Sequence, residues 1–317
     1  MDTIVEHSRQ LIEKGSKSFA GAARLFDNDT RASAYMLYAW CRHCDDEIDG
    51  QELGFNRAPA TVTEPAEVRL ARITAQTIAA IKGDADHPVF QALARVVAKH
   101  EIPARHPLEL IEGFRMDVEG RHYQTADDTL SYCYHVAGVV GVMMAMIMGV
   151  RDQATLNRAS DLGIAFQLTN IARDVIPDAL AGRVYLPADW LSEAGLSGGA
   201  AIADPANRDA VFAVTKRLLN EADRYYLSAR YGLPHLPIRA AWAIAAARRI
   251  YRQIGFVVRQ RGARAWDSRA GVSHRGKMAQ AFLAIVSIGR AHASRAIKTP
   301  PPRDGLWTMP GLGTDGR

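Results

Sequence analysis

The chain has 317 residues, is 48% hydrophobic and carries a formal net charge of +5. This composition excludes an intrinsically disordered protein and is sufficient for one large domain or two small ones. The mild basic excess contains no long Lys/Arg run, so it favours an anionic ligand or a membrane surface over nucleic acid. Its three cysteines argue against a disulfide framework and for a reducing compartment, which predicts a cytoplasmic location.

Helical patterns dominate the chain, and the N-terminal residues show no secretory signal. The first strong pattern covers 32–49 and starts at Asp29–Thr30, and a loop is predicted over 50–65. Further helices and a second loop, 196–207, follow in chain order. The later helices are predicted over 107–123, 127–149, 152–176, 206–230, 237–258 and 276–296.

These helices predict an all-α fold. No stretch alternates apolar and polar residues long enough to predict a sheet. Long helices with short connections are typical of one large helical bundle, here expected over residues 1–296. The Pro/Gly-rich segment 297–317 is predicted to be disordered.

The most apolar stretch covers residues 136–150 and ends at Arg151. It is shorter than the roughly 20 residues that a membrane-spanning helix needs. We therefore expect a buried core helix. Peripheral contact with the inner face of the membrane remains a hypothesis.

Two groups of oxygen-bearing side chains repeat at a spacing of four. Asp45 and Asp49 form the first, and Asn170, Asp174 and Asp178 the second. Residues four apart share one face of a helix, so each group predicts a polar stripe. Facing stripes would make a cleft of the hard oxygen ligands that suit Mg²⁺ with substrate phosphates.

An arginine lies beside each stripe. Arg42 precedes Asp45 by three residues and Arg173 precedes Asp174 by one. Guanidinium and metal together would stabilise a departing phosphate. A single acidic cluster is more often a solvated face, but two clusters with matching spacing favour function. Pro177 is expected to kink or end the second helix, so Asp178 is the least secure ligand.

Four motifs together resemble the squalene/phytoene synthase family, and its bacterial phytoene-forming members most closely. The most specific is "LGIAFQLTNIARDVIPDALAGRVYLP" at 162–187, and "YCYHVAGVVG" at 132–141 is similar to the family's other signature. "GSKSFAGAARLF" at 15–26 and "YAWCRHCDDEID" at 38–49 resemble its N-terminal substrate segment and first aspartate motif. The resemblance covers about residues 15–290.

The resemblance implies an isoprenoid-synthase bundle with a central cavity. It also implies head-to-head condensation of two prenyl diphosphates through a cyclopropyl diphosphate. Mg²⁺, with Mn²⁺ as a substitute, would be the cofactor, and NADPH is not expected. The formation of the cyclopropyl diphosphate and its later rearrangement both need a dry apolar cavity, since water would trap the carbocation.

The resemblance also assigns residues by motif. Mg²⁺ would be held by Asp45, Asp49, Asn170, Asp174 and Asp178. The diphosphates or first isoprene units would contact Gly15, Ser16, Lys17, Ser18, Tyr38, Arg42, Gln167, Arg173 and Tyr251. Tyr132 would be a polar group near the diphosphate.

The length of the substrate stays open at this point. Geranylgeranyl diphosphate (C20) would give phytoene, in carotenoid biosynthesis, and farnesyl diphosphate (C15) a C30 product. A catalytically inactive scaffold and a head-to-tail elongating synthase are further alternatives, which the intact motifs disfavour. If 16–26 is helical, Ala22 or Ala23 should flank the prenyl tail and leave room for a C20 chain.

Overall fold

The computed structural model describes residues 2–52, 56–57, 64–294 and 300–309, and it is an all-α bundle as the sequence predicts. A two-residue antiparallel pair, Gln51–Glu52 with Asn56–Arg57, is the exception in the described chain. The helices are α1 Thr3–Gly15, α2 Lys17–Ala23, α3 Asn28–Asp49, α4 Ala66–Lys82, α5 Pro88–His100, α6 Arg105–Val118, α7 Ala126–Cys133, α8 Val139–Ile147, α9 Gln153–Leu180, α10 Ala188–Glu193, α11 Gly198–Ala203, α12 Arg208–Ala229, α13 Ile238–Arg261 and α14 His274–Ser294.

Local capping fixes the two helices that carry the acidic stripes. The Asp27 carboxylate accepts hydrogen bonds from the backbone N–H groups of Asp29 and Thr30, so α3 begins slightly before its predicted start. Gly50 ends α3 in the left-handed conformation, with φ of 61°. Asp152 caps α9 by accepting from the Thr155 N–H at 2.9 Å, as the sequence predicts.

Helix α9 lies at the centre, packed against α8, α12 and α13. Two glycines allow a close crossing between α9 and the apolar segment before it. A Cβ at Gly163 would lie 2.2 Å from the Ala137 carbonyl, and one at Gly141 would lie 2.4 Å from the Ala159 carbonyl. Since real Cβ atoms do not approach backbone so closely, larger residues would force these helices apart.

Most of the apolar stretch 136–150 lies in one long helix, as the predicted helix over 127–149 indicates. A π-helical turn, Tyr134–Gly138, joins α7 to α8. Within the described residues one helix, Ala126–Ile147, is long and apolar enough to cross a bilayer, and 67% of its apolar window is buried in the fold. The expectation of insufficient length is therefore wrong, whereas the expectation of a buried core helix is confirmed.

Two further local expectations are wrong. Helix α9 continues past Pro177 to Leu180, so the proline does not end the helix at 176. The predicted loop at 196–207 contains the short helix α11 and a 3₁₀ turn.

The predicted disorder over 297–317 is wrong for residues 300–309, which we call the C-terminal strap. Arg303 donates to the Asp161 carboxylate at 2.9 and 2.6 Å, and Leu306, Trp307 and Met309 pack against the core. Its Pro/Gly content prevents helix formation but does not prevent packing. Residues 295–299 and 310–317 lie outside the described residues.

Candidate active site

A cavity of about 410 Å³ runs through the bundle. One end, which we call the acidic end, is lined by Arg42, Asp45 and Asn170, whereas most of the wall is apolar. The opposite end, which we call the distal end, includes Thr155 and Arg158. Asn170 and Thr155 lie on the same helix fifteen residues apart, so the cavity extends about 22 Å along α9.

The first acidic stripe lies on α3. Arg42 donates to the Asp45 carboxylate at 2.5 Å, and Arg183 reaches across from the segment after α9 to donate to Asp49 at 2.7 Å. The Asp45 side chain is 43% accessible, but the protein packed around its carboxyl group removes part of its hydration. This desolvation, together with repulsion from Asp49 and Asp46, raises the pKa of Asp45 to about 7. The negative charge on this stripe is thus only partly compensated by the chain.

The second stripe lies on α9. The Asn170 amide donates to the Gln167 side-chain oxygen at 3.3 Å, and Arg173 donates from Nε to Asp174 at 2.9 Å. Burial, followed by the repulsion of Asp174, raises the pKa of Asp178 to about 7. Each stripe therefore has an arginine paired with one of its carboxylates.

Asp117 on α6 lies between the two stripes. Its carboxylate accepts hydrogen bonds from the Tyr132 hydroxyl at 3.0 Å and the Tyr185 hydroxyl at 2.9 Å. Burial raises its pKa to about 6, and its charge in turn raises the pKa of both Asp45 and Asp178. The charge of Asp117 therefore affects the ionisation of carboxylates on both stripes.

No group of three or more His, Cys, Asp or Glu side chains in the described ranges is close enough to hold a metal ion. The residues nevertheless fit Mg²⁺ by the chemistry of their donors. They are oxygen ligands, and burial together with neighbouring carboxylates raises the pKa of Asp45, Asp117 and Asp178, which a bound cation would oppose. Mg²⁺ commonly binds through one or two carboxylates together with substrate phosphates, which does not require a complete protein cage.

The N-terminal substrate segment meets α3 at Tyr38. A Cβ at Gly15 would lie 2.6 Å from the Tyr38 hydroxyl, so only glycine leaves that hydroxyl in place. The hydroxyl oxygen is buried beside Arg42, but no described residue makes a well-directed hydrogen bond to it. Such an orphaned donor suits a ligand oxygen.

Ser16 has a structural role that its sequence position left open. Its hydroxyl caps α2 by accepting from the Phe19 N–H at 3.3 Å. Lys17 and Ser18 lie in the first turn of α2, and their side chains lie outside the described part of the structure.

Aromatic rings line the passage between the acidic end and the apolar wall. Tyr251 stacks on Phe166 with ring centroids 4.2 Å apart. Phe19 also stacks on Tyr251, with ring centroids 5.7 Å apart. Ala22 and Ala23, of which at least one was expected to flank a prenyl tail, both line the cavity.

The structure thus brings most of the predicted residues to one place. Those that line the cavity are Tyr38, Arg42, Asp45, Tyr132, Gln167, Asn170 and Tyr251. Asp49, Arg173, Asp174 and Asp178 adjoin this end through the ion pairs and charges described above.

Sequence reasoning missed several residues of the site. Arg183 and Tyr185 belong to the "RVYLP" stretch, whose match to a known motif could have pointed to them. Phe19 and Phe166 likewise lie within quoted motifs, whereas Asp117 lies outside all four and is brought to the cavity by the packing of α6.

Known proteins resemble this chain over most of its length. A family model described as squalene/phytoene synthase matches residues 12–276. The chain is 52% identical over 299 residues to the 15-cis-phytoene synthase of Enterobacter agglomerans. This alignment covers 94% of this chain and 100% of that protein. It is 50% identical over 310 residues to the 15-cis-phytoene synthase of Pantoea ananas, with 97% and 98% covered.

Solved structures share the architecture. A dehydrosqualene synthase crystallised with a ligand matches with a TM-score of 0.80 at 27% identity, covering 90% of this chain and 97% of that one. A squalene synthase from Alicyclobacillus acidocaldarius has the same fold, with a TM-score of 0.71 at 24% identity and 82% and 94% covered.

Proposed function

The chain belongs to the squalene/phytoene synthase family, and from that premise we propose that it is a phytoene synthase, which condenses two geranylgeranyl diphosphates head to head. The observation that carries this proposal is the junction of an acidic, arginine-lined end with a long apolar cavity. A molecule that fits both parts has an anionic head and a long hydrocarbon tail. The phytoene synthases of Enterobacter agglomerans and Pantoea ananas, each about half identical to this chain, support the C20 substrate.

The chain's own residues bind and orient the diphosphates. Arg42 and Arg173 present guanidinium groups beside the two stripes, and the buried Tyr38 hydroxyl is ready to donate to a phosphate oxygen. Asp45, Asp49, Asn170, Asp174 and Asp178 would hold Mg²⁺. When bound, that cation neutralises the departing pyrophosphate and so favours cleavage of the allylic C–O bond.

The reaction then proceeds in two halves. In the first, one C–O bond breaks, the second substrate's double bond attacks the cation, and proton loss closes a cyclopropyl diphosphate. In the second, the remaining diphosphate leaves, the skeleton rearranges and another proton is lost. No net reduction occurs, so the sequence of steps needs no NADPH.

The cavity walls protect the carbocations. Apolar side chains exclude water, which would otherwise add to the cation. The stacked rings of Phe19, Phe166 and Tyr251 lie where the head of the substrate meets its tail, and aromatic faces attract a nearby cation. Tyr132, fixed by its bond to Asp117, keeps a polar group at the same end.

The proposal is tested by product identification. Purified protein is incubated with Mg²⁺ and either the C20 or the C15 diphosphate, without NADPH. We expect phytoene and pyrophosphate from the C20 substrate. Preferred turnover of the C15 substrate would instead assign a C30 synthase, and no turnover of either would indicate a non-catalytic family member.

We further propose that the protein binds the cytoplasmic face of the membrane peripherally through α14. Phe282 is 69% exposed and Met278 is 63% exposed, and Ile285 and Val286 are also exposed on this helix. The helix contains Arg275 and Lys277 but no Asp or Glu, so its apolar face and its charge both suit an anionic lipid surface. Membrane contact would give the hydrocarbon product a route out of the protein.

Vesicle sedimentation tests the membrane proposal. We expect binding to vesicles that contain anionic lipid, and weaker binding after Phe282→Ser. Val68→Ser is the control, because Val68 is 49% exposed on α4, a helix that packs against α3, α5 and α6. Equal binding by both variants would contradict the assignment of α14.

A further inference from the structure

A nearly buried arginine forms part of the wall at the distal end of the cavity. Arg158 lines the cavity and is 9% exposed, and a Cβ at Gly232 would lie 3.0 Å from its Cβ. Its guanidinium donates to the Ser228 hydroxyl at 2.6 Å and to the carbonyl of Pro301 in the C-terminal strap. The chain end thus supplies an acceptor to a residue of the cavity wall.

A buried carboxylate connects the same residues to the strap a second time. Asp161 is fully buried and accepts two hydrogen bonds from Arg303, at 2.9 and 2.6 Å. The Ser228 hydroxyl donates to Asp161 while it accepts from Arg158. Strap, carboxylate, hydroxyl and wall arginine therefore form one continuous buried network.

The strap is also anchored on either side of this network. The Trp307 N–H donates to the Tyr225 hydroxyl at 2.9 Å, and Arg224 donates to the Gly305 carbonyl at 2.7 Å. The Trp307 ring lies 5.4 Å from that of Tyr134, in the π-helical turn whose next residues line the cavity. These anchors hold the strap across the outside of the distal end.

We propose that the C-terminal strap sets the length of the prenyl tail that the enzyme accepts, by holding Arg158 as the end wall of the cavity. The inference rests on the proposed function and deepens it. Arginine has a long stem with many rotamers, so its position depends on the acceptors that hold its head. Without the strap, Arg158 loses an acceptor and the distal end loses its outer cover, and longer tails gain room.

The test compares turnover of C25 and C20 prenyl diphosphates, with Mg²⁺, in the full-length protein and its variants. Arg158→Ala removes the end wall and leaves the Asp161–Arg303 pair in place. Arg303→Ala and a chain that ends at residue 299 release the strap. Arg217→Ala is the matched control, because it removes an arginine of α12 that pairs with Glu193 away from the strap.

We expect the C25-to-C20 turnover ratio to rise about threefold to tenfold in the first three variants and to stay unchanged in the control. Melting temperatures identify any variant that fails to fold, and Arg303→Lys, which keeps the charge but loses the paired geometry, then replaces Arg303→Ala. Unchanged ratios in folded Arg158→Ala and in a folded strap variant would overturn the inference. Absence of C20 turnover in the wild-type protein would instead overturn the proposed function, and the inference with it.

Discussion

The two ends of the cavity handle buried charge in opposite ways. At the distal end, Asp161 is fully buried, yet Arg303 and Ser228 satisfy it. At the acidic end, Asp45 and Asp178 keep pKa values of about 7 in spite of the arginines nearby. The buried carboxylate of the distal end is paired within the chain, whereas carboxylates at the acidic end have raised pKa values and would suit the proposed Mg²⁺.

This difference separates stability from activity. Breaking a compensated buried pair leaves a stranded charge and destabilises the fold. Removing a carboxylate from a crowded acidic cluster relieves repulsion, so it should impair function without unfolding the protein. Substitutions at the acidic end should therefore change turnover, and substitutions at the distal end should change stability.

The largest expected effect is at the acidic end. Asp45→Ala or Asp174→Ala should lower turnover of the C20 diphosphate about a thousandfold, because each removes an electrostatic stabiliser of the departing pyrophosphate. Circular dichroism and the melting temperature should be close to wild type. Near-normal turnover at saturating Mg²⁺ in either variant would disprove the two-stripe site.

The second-largest expected effect is a loss of stability caused by a substitution at the distal end. Arg303→Met should lower the free energy of unfolding by about 3 kcal/mol, because it leaves Asp161 buried without its main partner. Chemical denaturation measures this change, with Arg95→Met as the control, since Arg95 pairs with Asp2 at the surface. If the two variants were equally stable, the distal network would not be a structural element.

A smaller effect is expected when the Arg42 guanidinium is replaced by an ammonium group of the same charge. Arg42→Lys should lower C20 turnover about tenfold to a hundredfold, because an ammonium cannot replace a planar, two-pronged donor. The matched control is Arg9→Lys, whose arginine pairs with Glu6 and Glu13 on α1. Full activity in Arg42→Lys would reduce Arg42 to a neutralising neighbour of Asp45.

The smallest effect concerns the wall between the two ends. Ala23→Phe should lower the C20-to-C15 turnover ratio about tenfold, because the added ring narrows a close-packed tunnel. Ala22→Phe is a second probe, since Ala22 also lines the cavity. If both variants lost activity on the two substrates equally, together with a lower melting temperature, the alanines would be packing residues only.

The acidic end was largely predictable from the sequence, and the distal end was not. The stripes follow from a spacing of four on helices whose caps, Asp27 and Asp152, are local signals. Asp117 could not be found in this way, because α6 carries it to the site through tertiary packing. The strap was missed because its composition shows only that it cannot form a helix, whereas the partner of Arg303 lies far away in the sequence.

Metal binding with and without pyrophosphate tests the central claim that Mg²⁺ and a diphosphate complete the acidic end together. Isothermal titration of the wild-type protein with Mg²⁺ should show weak binding alone and at least about tenfold tighter binding with inorganic pyrophosphate present, because the described residues form no complete metal cage. Asp45→Ala should lose this enhancement, whereas Arg303→Met should keep it. Tight Mg²⁺ binding that pyrophosphate does not change would contradict the account.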